Sequence, residues 1–166
     1  MLRYRRAVAA LAATAGLLAS APAHATAPTT TIEVRHVRIP ITSCGAFTLI
    51  IDVTVTRKFT TFYDAAGVTV RDVLDRRQEG TFENSLTGKS LPLSGRWKLT
   101  REYTDGVPNG SVYQTGPTYH VTAPGYGVIF LQAGRGLQVN GVTVFEHGPH
   151  DFEERNFVEV CAYLAS

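Results

Sequence analysis

The clearest pattern in the chain is an alternation of apolar and polar side chains over residues 47–63. This period of two, rich in β-branched residues, predicts a long β-strand with one buried face. The apolar side chains that share that face are Phe47, Leu49, Ile51, Val53 and Val55. Arg57 falls on the same face and interrupts the apolar run. A β-bulge at Arg57 would restore the alternation, and we expect one there.

Similar runs cover most of the remaining chain, and turn-forming residues separate them. The strand-like runs are residues 31–39, 47–63, 68–83, 91–100, 111–122, 126–139 and 142–147. Asn140-Gly141 is the strongest hairpin signal, because this pair suits a two-residue turn with positive φ. The chain therefore reads as a series of antiparallel strands joined by short turns.

Long sequential strands with hairpin links favour an up-and-down meander, and closing it into a barrel removes the exposed edges. Residues 31–166 are thus predicted to form a single all-β domain, an antiparallel meander barrel of about seven or eight strands with a short C-terminal helix. A two-sheet β-sandwich is the alternative. A barrel of this size has room inside for packed side chains or for one small ligand.

The pattern changes to helical spacing at the end of the chain. The apolar residues at this spacing are Phe157, Val160, Cys161 and Leu164. They predict a short amphipathic helix that starts near residue 153 or 156 and ends at Leu164. Asn156 with Glu159 fits an N-cap and capping box, and Asp151 with Glu154 offers an earlier start.

The first 25 residues have the pattern of a cleaved secretory signal peptide. Arg3, Arg5 and Arg6 precede an apolar run over residues 7–18, and Ala23-His24-Ala25 places small residues at the cleavage positions. Residues 26–30 then form a flexible leader. This pattern predicts a secreted, extracellular protein with no membrane attachment after cleavage.

Removal of that segment changes the charge. Three of the 16 basic residues lie in it and all 14 acidic residues lie after it, so the remaining chain has a formal net charge of −1. No basic run remains, and we expect no nucleic-acid partner. Cys44 and Cys161 are the only cysteines. In an exported chain an isolated pair predicts one disulfide, which would pin the helix to the segment before the second strand.

Candidate chemistry is sparse. The sequence has no GxSxG, HExxH or CxxC motif and no glycine-rich phosphate loop, so we expect no metal and no cofactor. The densest polar cluster is residues 146–151, with two histidines and two carboxylates. It could bind a metal or transfer protons, but Pro149 and Asp151 favour a structural turn before the helix.

Five residues are candidates for a ligand-binding pocket: Trp97, Tyr119, His120, Arg135 and Glu146. Arg135 lies between glycines in a predicted strand, and counting outward from Asn140-Gly141 places it opposite Glu146. A cross-strand ion pair is the leading interpretation, and an anchor for an anionic ligand is the alternative. Trp97 alternates with core leucines, while Tyr119 and His120 could line the mouth of a barrel.

Several short segments resemble a group of small secreted actinobacterial proteins of unknown function. The segments are 44–47, 87–89, 125–127, 133–135, Glu146, 148–151 and 161–162. The resemblance implies export, a single disulfide and a β-rich fold, and it transfers no catalytic residue. Lipocalin-like barrels and those of the allene-oxide-cyclase or dirigent type are similar only in architecture.

Two functional hypotheses follow. The first is a secreted β-barrel that binds a small apolar or amphipathic molecule. The second is a cofactor-free isomerase or cyclase, in which Arg135 stabilises negative charge and His120 or Glu146 moves a proton. The second hypothesis requires those side chains to share one pocket. The sequence does not identify the ligand or the oligomeric state.

Overall fold

The structure is a computed structural model, and it describes residues 26–154 and 156–166. The expected signal peptide, residues 1–25, lies outside the described residues. The strands are β1 (Thr29–Ser43), β2 (Thr48–Tyr63), β3 (Thr69–Asn84), β4 (Ser90–Thr104), β5 (Val107–Ala123), β6 (Gly127–Val139) and β7 (Val142–His147). Two short helices follow, α1 (Asp151–Glu154) and α2 (Val158–Ala165).

The strands form one antiparallel sheet in sequential order, β1 to β7. This confirms the predicted all-β meander with a short C-terminal helix. The sheet is open in the described part of the chain, with β1 and β7 at its two edges, and its closure into a barrel stays a prediction. At Asn140 and Gly141 φ is 52° and 79°, as the predicted two-residue turn requires.

The predicted bulge at Arg57 is wrong. β2 pairs with β3 without a register shift as far as Phe62, and Arg57 lies directly opposite Arg76. Because the alternation is never reset, Arg57 stays on the same face as Leu49 and Val55. We call this face, which carries the buried core, the inner face.

The core occupies one end of the inner face. Its fully buried side chains include Leu49 on β2, Phe82 on β3, Leu91 on β4 and Phe130 on β6. Helix α2 covers this end. Phe157, just before α2, stacks on Phe130 with ring centroids 4.6 Å apart and meets Phe82 edge-on at 5.3 Å.

The start of α2 differs from the prediction. Asn156 is not the N-cap; the cap position is Phe157, which has φ 66° and makes no side-chain capping bond. Asn156 also has positive φ, at 44°. The left-handed turn brings the Phe157 ring into the core, where it is 1% exposed. Burial of an aromatic ring outweighs both the missing cap and the backbone strain.

Three connections hold α2 against the sheet. The predicted disulfide between Cys44 and Cys161 is present, with Cα atoms 5.4 Å apart, and it ties α2 to the loop before β2. The buried Asn84 side chain donates to the carbonyl of Leu164 at 3.0 Å. Lys89 Nζ donates to the carbonyl of Tyr163 at 2.7 Å. The C-terminus is therefore fixed on the core end of the inner face.

Glycines on β3 and β4 allow neighbouring strands to come unusually close. A Cβ atom at Gly80 would lie 2.0 Å from the carbonyl oxygen of Asp52, and one at Gly95 would lie 2.1 Å from that of Thr118. Such glycine positions mark sharp bends of a sheet. Gln78 Nε2 donates to the Thr118 carbonyl at 2.7 Å, so this oxygen is hydrogen-bonded although the β4–β5 ladder is interrupted there.

Candidate functional site

The end of the inner face that α2 does not cover contains two adjoining cavities. Leu99 on β4 and Val112 on β5 line both of them. The first, about 180 Å³, is also lined by Phe59 and Leu74, and we call it the apolar cavity. The second, about 270 Å³, lies over β5–β7 and is the glutamine cavity, named after Gln114, Gln132 and Gln138. The two cavities meet at Leu99 and Val112, and we call them together the groove.

A row of three residues separates this groove from the core. Arg57, Arg76 and Trp97 lie opposite one another on β2, β3 and β4, and we call them the arginine row. On the core side, Val55 and Gln78 are 2% and 1% exposed. On the groove side lies the row Phe59, Leu74 and Leu99, in which Phe59 is 38% exposed. The arginine row thus lies between the core and the residues that line the groove.

Arg76 has an unusual environment for a charged side chain. Its guanidinium lies over the Trp97 ring, 4.5 Å from the ring centroid. Its Nε is buried and has no hydrogen-bond partner. Burial lowers the pKa of Arg76, and the positive charge of Arg57 lowers it further. Among the described residues, neither arginine forms an ion pair.

The outer end of the apolar cavity is polar and hydrogen-bonded. Thr61 Oγ1 donates to Asp72 at 2.7 Å, and the Tyr103 hydroxyl donates to the other oxygen of the same carboxylate. The hydrogen bond to Asp72 raises the pKa of Tyr103. Arg101 lies directly opposite Asp72 on β4 and also lines this cavity, so a carboxylate and a guanidinium lie together at its outer end.

The glutamine cavity lies where the C-terminal segment docks on β6. Gln132 Oε1 accepts from the Phe152 amide at 3.1 Å, and Gln132 Nε2 lies 3.3 Å from His150 Nδ1. The same His150 nitrogen lies 3.4 Å from a Glu146 carboxylate oxygen. These contacts surround the cavity with amide, imidazole and carboxylate groups that can form hydrogen bonds with a polar ligand.

The predicted pairing of Arg135 with Glu146 is wrong. Val139 does lie opposite Val142, but β7 bulges at Val144, so Arg135 lies opposite His147 and Glu146 lies opposite Gly136. A one-residue shift moves a side chain to the other face of a strand. Arg135 instead lies over the Phe145 ring, 5.5 Å from its centroid. Both Arg135 and Glu146 still border the glutamine cavity.

The other three candidate residues lie elsewhere. Trp97 is 7% exposed and forms part of the arginine row. Tyr119 packs against Phe82, with ring centroids 6.3 Å apart, and burial raises the pKa of its hydroxyl. His120 lines a separate shallow depression. Arg135 borders the glutamine cavity, and His120 borders this depression instead.

The polar cluster of residues 146–151 has a visible structural role. The Asp151 carboxylate accepts from the Leu131 amide at 2.8 Å, which anchors α1 to β6. Residues 26–154 and 156–166 contain no group of three or more histidine, cysteine, aspartate or glutamate side chains placed to hold a metal.

Sequence periodicity did not identify Arg57 and Arg76, the two arginines of the arginine row, as candidate site residues. The signal was present, because Arg57 interrupted an apolar face, but a bulge was the simpler explanation. Arg76 gave no comparable signal, since β3 contains many charged residues. Only the register between β2 and β3 shows that the two arginines lie side by side.

Within the described ranges, no helix has the length and apolar content needed to cross a bilayer. Comparisons with protein families, with curated proteins and with solved structures find no match to this chain.

Proposed function

We propose that the protein is a secreted binding protein for a small amphipathic molecule, which occupies the groove formed by the apolar and glutamine cavities. One observation carries the proposal: two cavities of different polarity share Leu99 and Val112 on the face that also carries the core. Small-molecule sites are concave and mainly apolar, with a few converging polar groups.

The two cavities divide the ligand's chemistry between them. The side chains of Phe59, Leu74, Leu99 and Val112 offer apolar contact in the first cavity. Gln114, Gln132 and Gln138 offer donors and acceptors in the second. A molecule with an apolar part and a polar part fits this arrangement better than a wholly apolar one. A wholly apolar ligand would cover the glutamine side chains without forming hydrogen bonds to them, which costs free energy.

Binding fits the geometry better than the alternative of a cofactor-free isomerase or cyclase. Arg135 and Glu146 border the glutamine cavity, but His120 lines a different depression. Arg135 is exposed and contacts the Phe145 ring, while Glu146 contacts His150. A catalytic pair should converge on one reacting atom with hydrogen-bond geometry. We therefore propose that Arg135 and Glu146 contribute to ligand binding rather than to catalysis.

Secretion is part of the proposal. Its support is the signal-like pattern of residues 1–25 and the disulfide between Cys44 and Cys161. Structural disulfides form in oxidising compartments. Mass measurement of the protein recovered from culture medium tests this point, and we expect a chain that starts at Thr26 and carries the disulfide.

The groove can be tested with Nile red, a neutral dye whose fluorescence rises in an apolar environment. We expect the wild-type protein to bind it and Leu99→Trp to lose most of that binding, because a tryptophan at the junction fills both cavities. Leu86→Trp is the matched control. Leu86 is 71% exposed in the turn after β3, so this variant should bind the dye as the wild type does.

Thermal unfolding of both variants shows whether they remain folded. Absence of dye binding to the wild type, or equal binding by wild type and a folded Leu99→Trp variant, would contradict the proposal. Turnover of a candidate substrate that depends on Glu146 would instead support the enzyme alternative.

A further inference from the structure

We propose that the arginine row is the head-group site for an anionic amphiphile, whose apolar tail lies in the apolar cavity. This inference rests on the proposed binding function and specifies the class of ligand. The site consists of the guanidinium groups of Arg57 and Arg76, with Trp97 beneath Arg76.

The arginine row places two positive charges side by side. Arg57 and Arg76 lie directly opposite each other on neighbouring strands, and side chains in that relation are about 5 Å apart at Cβ. Like charges at this position repel, and partial burial removes the water that would screen them. Among the described residues neither guanidinium has an ion-pair partner, so two adjacent cations share this position. A bound anion would satisfy both.

The carboxylates near Arg57 and Arg76 do not neutralise these two arginines. Glu33 lies opposite Arg57 in the β1–β2 register, but it pairs with Arg35, with the nitrogen and oxygen 3.3 Å apart. Asp72 lies four residues from Arg76 along β3 and accepts hydrogen bonds from Thr61 and Tyr103.

Trp97 supports the guanidinium group of Arg76. The guanidinium carbon of Arg76 lies 4.5 Å from the centroid of the Trp97 ring, and this cation–π contact positions the charged group. Its buried Nε has no partner among the described residues. A planar guanidinium held in this way suits a carboxylate, which can accept two parallel hydrogen bonds.

The tail position follows from the register. Phe59, Leu74 and Leu99 form the next row outward from the arginine row, two residues along each strand. Two residues of a strand span about 7 Å. A head group at the arginine row therefore places the first carbons of a tail over this apolar row and directs the chain toward Val112.

The test compares ligands that share an eight-carbon tail: octanoate, 1-octanol and octylammonium. Each is titrated, at concentrations below micelle formation, against Nile red bound to the purified secreted protein, and displacement of the dye is measured. We expect octanoate to bind at least about tenfold more tightly than 1-octanol, the usual advantage of a charge-assisted hydrogen bond. Octylammonium should bind more weakly than 1-octanol. Acetate, which has the head group alone, should displace no dye and should show no binding by calorimetry.

Variants locate the head group. Arg76→Met keeps an apolar stem over Trp97 and removes the charge, so the preference for octanoate over 1-octanol should fall to about twofold or less. Arg57→Met should reduce the preference partially. Arg77→Met is the matched control, because Arg77 is the next residue on β3, is exposed and pairs with Glu79. It should keep the full preference.

A second measurement separates a loss of binding from a loss of structure. Without ligand, Arg76→Met should unfold at the same or a higher temperature than the wild type, since an unneutralised charge has been removed. Octanoate should raise the unfolding temperature of the wild type but not of Arg76→Met. Should that variant fail to fold, Arg57→Met provides the same comparison.

The outcomes distinguish the two proposals. Equal binding of octanoate and 1-octanol by the wild type, or an unchanged preference in folded Arg76→Met, overturns the anionic head-group site and leaves the groove intact. Acetate binding as tight as octanoate overturns the amphiphile and shows a free-anion site. Failure of all ligands and of Nile red to bind overturns the proposed function itself.

Discussion

The two halves of the inner face use the same strands in different ways. In the half under α2, Val53, Ile51 and Leu91 are almost fully buried and continue the alternation that defines each strand. In the other half, Phe59 is 38% exposed and its neighbours line cavities. The groove half also carries more polar side chains, among them Thr61 and Asp72, and α2 covers only the other half.

This difference in cover separates the packed core from the groove that we propose as the binding site. Helix α2 brings Phe157, Val160 and Leu164 onto one half, and each of these is 1% exposed or less. The other half receives no such cover from the described part of the chain. Apolar surface that the protein does not bury itself is available to a ligand. We therefore expect substitutions in the covered half to lower the free energy of unfolding most, and substitutions in the groove half to affect mainly the proposed ligand binding.

Loss of the disulfide should have the largest effect on stability. The bond between Cys44 and Cys161 joins residues 117 positions apart. Cross-linking so long a loop stabilises the folded chain by about 4 kcal/mol through the entropy of the unfolded state. We expect the double variant Cys44→Ser, Cys161→Ser to lose this amount in urea unfolding. Amide exchange should accelerate first in α2.

Dithiothreitol provides the control for that variant. The reductant should bring the wild type to the stability of the double variant and leave the variant unchanged. A double variant as stable as the oxidised wild type would show that α2 is held by its apolar contacts alone.

Two leucines on β4 compare the halves directly. Leu91 is 1% exposed under α2, and Leu99 lines the groove. We expect Leu91→Ala to lower the free energy of unfolding by about 3 kcal/mol, the usual cost of a cavity in a packed core. Leu99→Ala should cost about 1 kcal/mol, because its side chain is only partly buried and already borders a cavity. Equal losses in urea unfolding would mean that the two halves are packed alike.

The strands could be predicted because their signal is local. The alternation over residues 47–63 requires only that one face be buried, and β2 spans Thr48–Tyr63. The hairpin at Asn140-Gly141 depends on φ preferences of two residues. The disulfide followed from there being one pair of cysteines and an expected oxidising compartment. Each of these features is determined within a short segment or by composition.

The candidate site could be predicted only in part, because its position depends on register. The bulge at Val144 moved Glu146 away from Arg135, and the absence of a bulge at Arg57 left that side chain on the inner face. A bulge is a small local change whose cost depends on packing across the sheet. Sequence periodicity alone could not decide either case.

Asn84 should contribute the next largest effect in the covered half. Its Nδ2 donates to the Leu164 carbonyl at 3.0 Å, and its Oδ1 accepts from the amides of Leu86 and Thr87 at 2.9 and 3.2 Å. Asn84→Ala leaves buried groups without partners, and we expect a loss of about 2 kcal/mol in urea unfolding. The control Gln138→Ala, on the exposed rim of the groove, should cost less than about 0.5 kcal/mol.

The smallest effects should come from the opposite face of the sheet, where ion pairs lie behind both halves. Glu83 pairs with Arg38 behind the covered half, at 2.7 Å, and Asp75 pairs with Arg96 behind the arginine row, next to the groove, at 2.9 Å. Hydrogen bonds from these arginines lower the pKa of both carboxyl groups. A lowered folded-state pKa gives stability that is present above the unfolded-state value, near 4, and is lost as pH falls through the folded-state value.

Glu83→Gln and Asp75→Asn should therefore each lower the unfolding temperature at pH 7 by no more than about 2 °C, because exposed ion pairs contribute little. For each variant the difference from wild type should shrink as pH falls from about 4 through the lowered folded-state pKa, where the wild-type carboxyl group becomes protonated too. Thermal unfolding from pH 7 to pH 2 measures both. Similar behaviour of the two variants would confine the contrast between the halves to the inner face. A much larger loss for Glu83→Gln would show that the covered half also depends on the ion pair behind it.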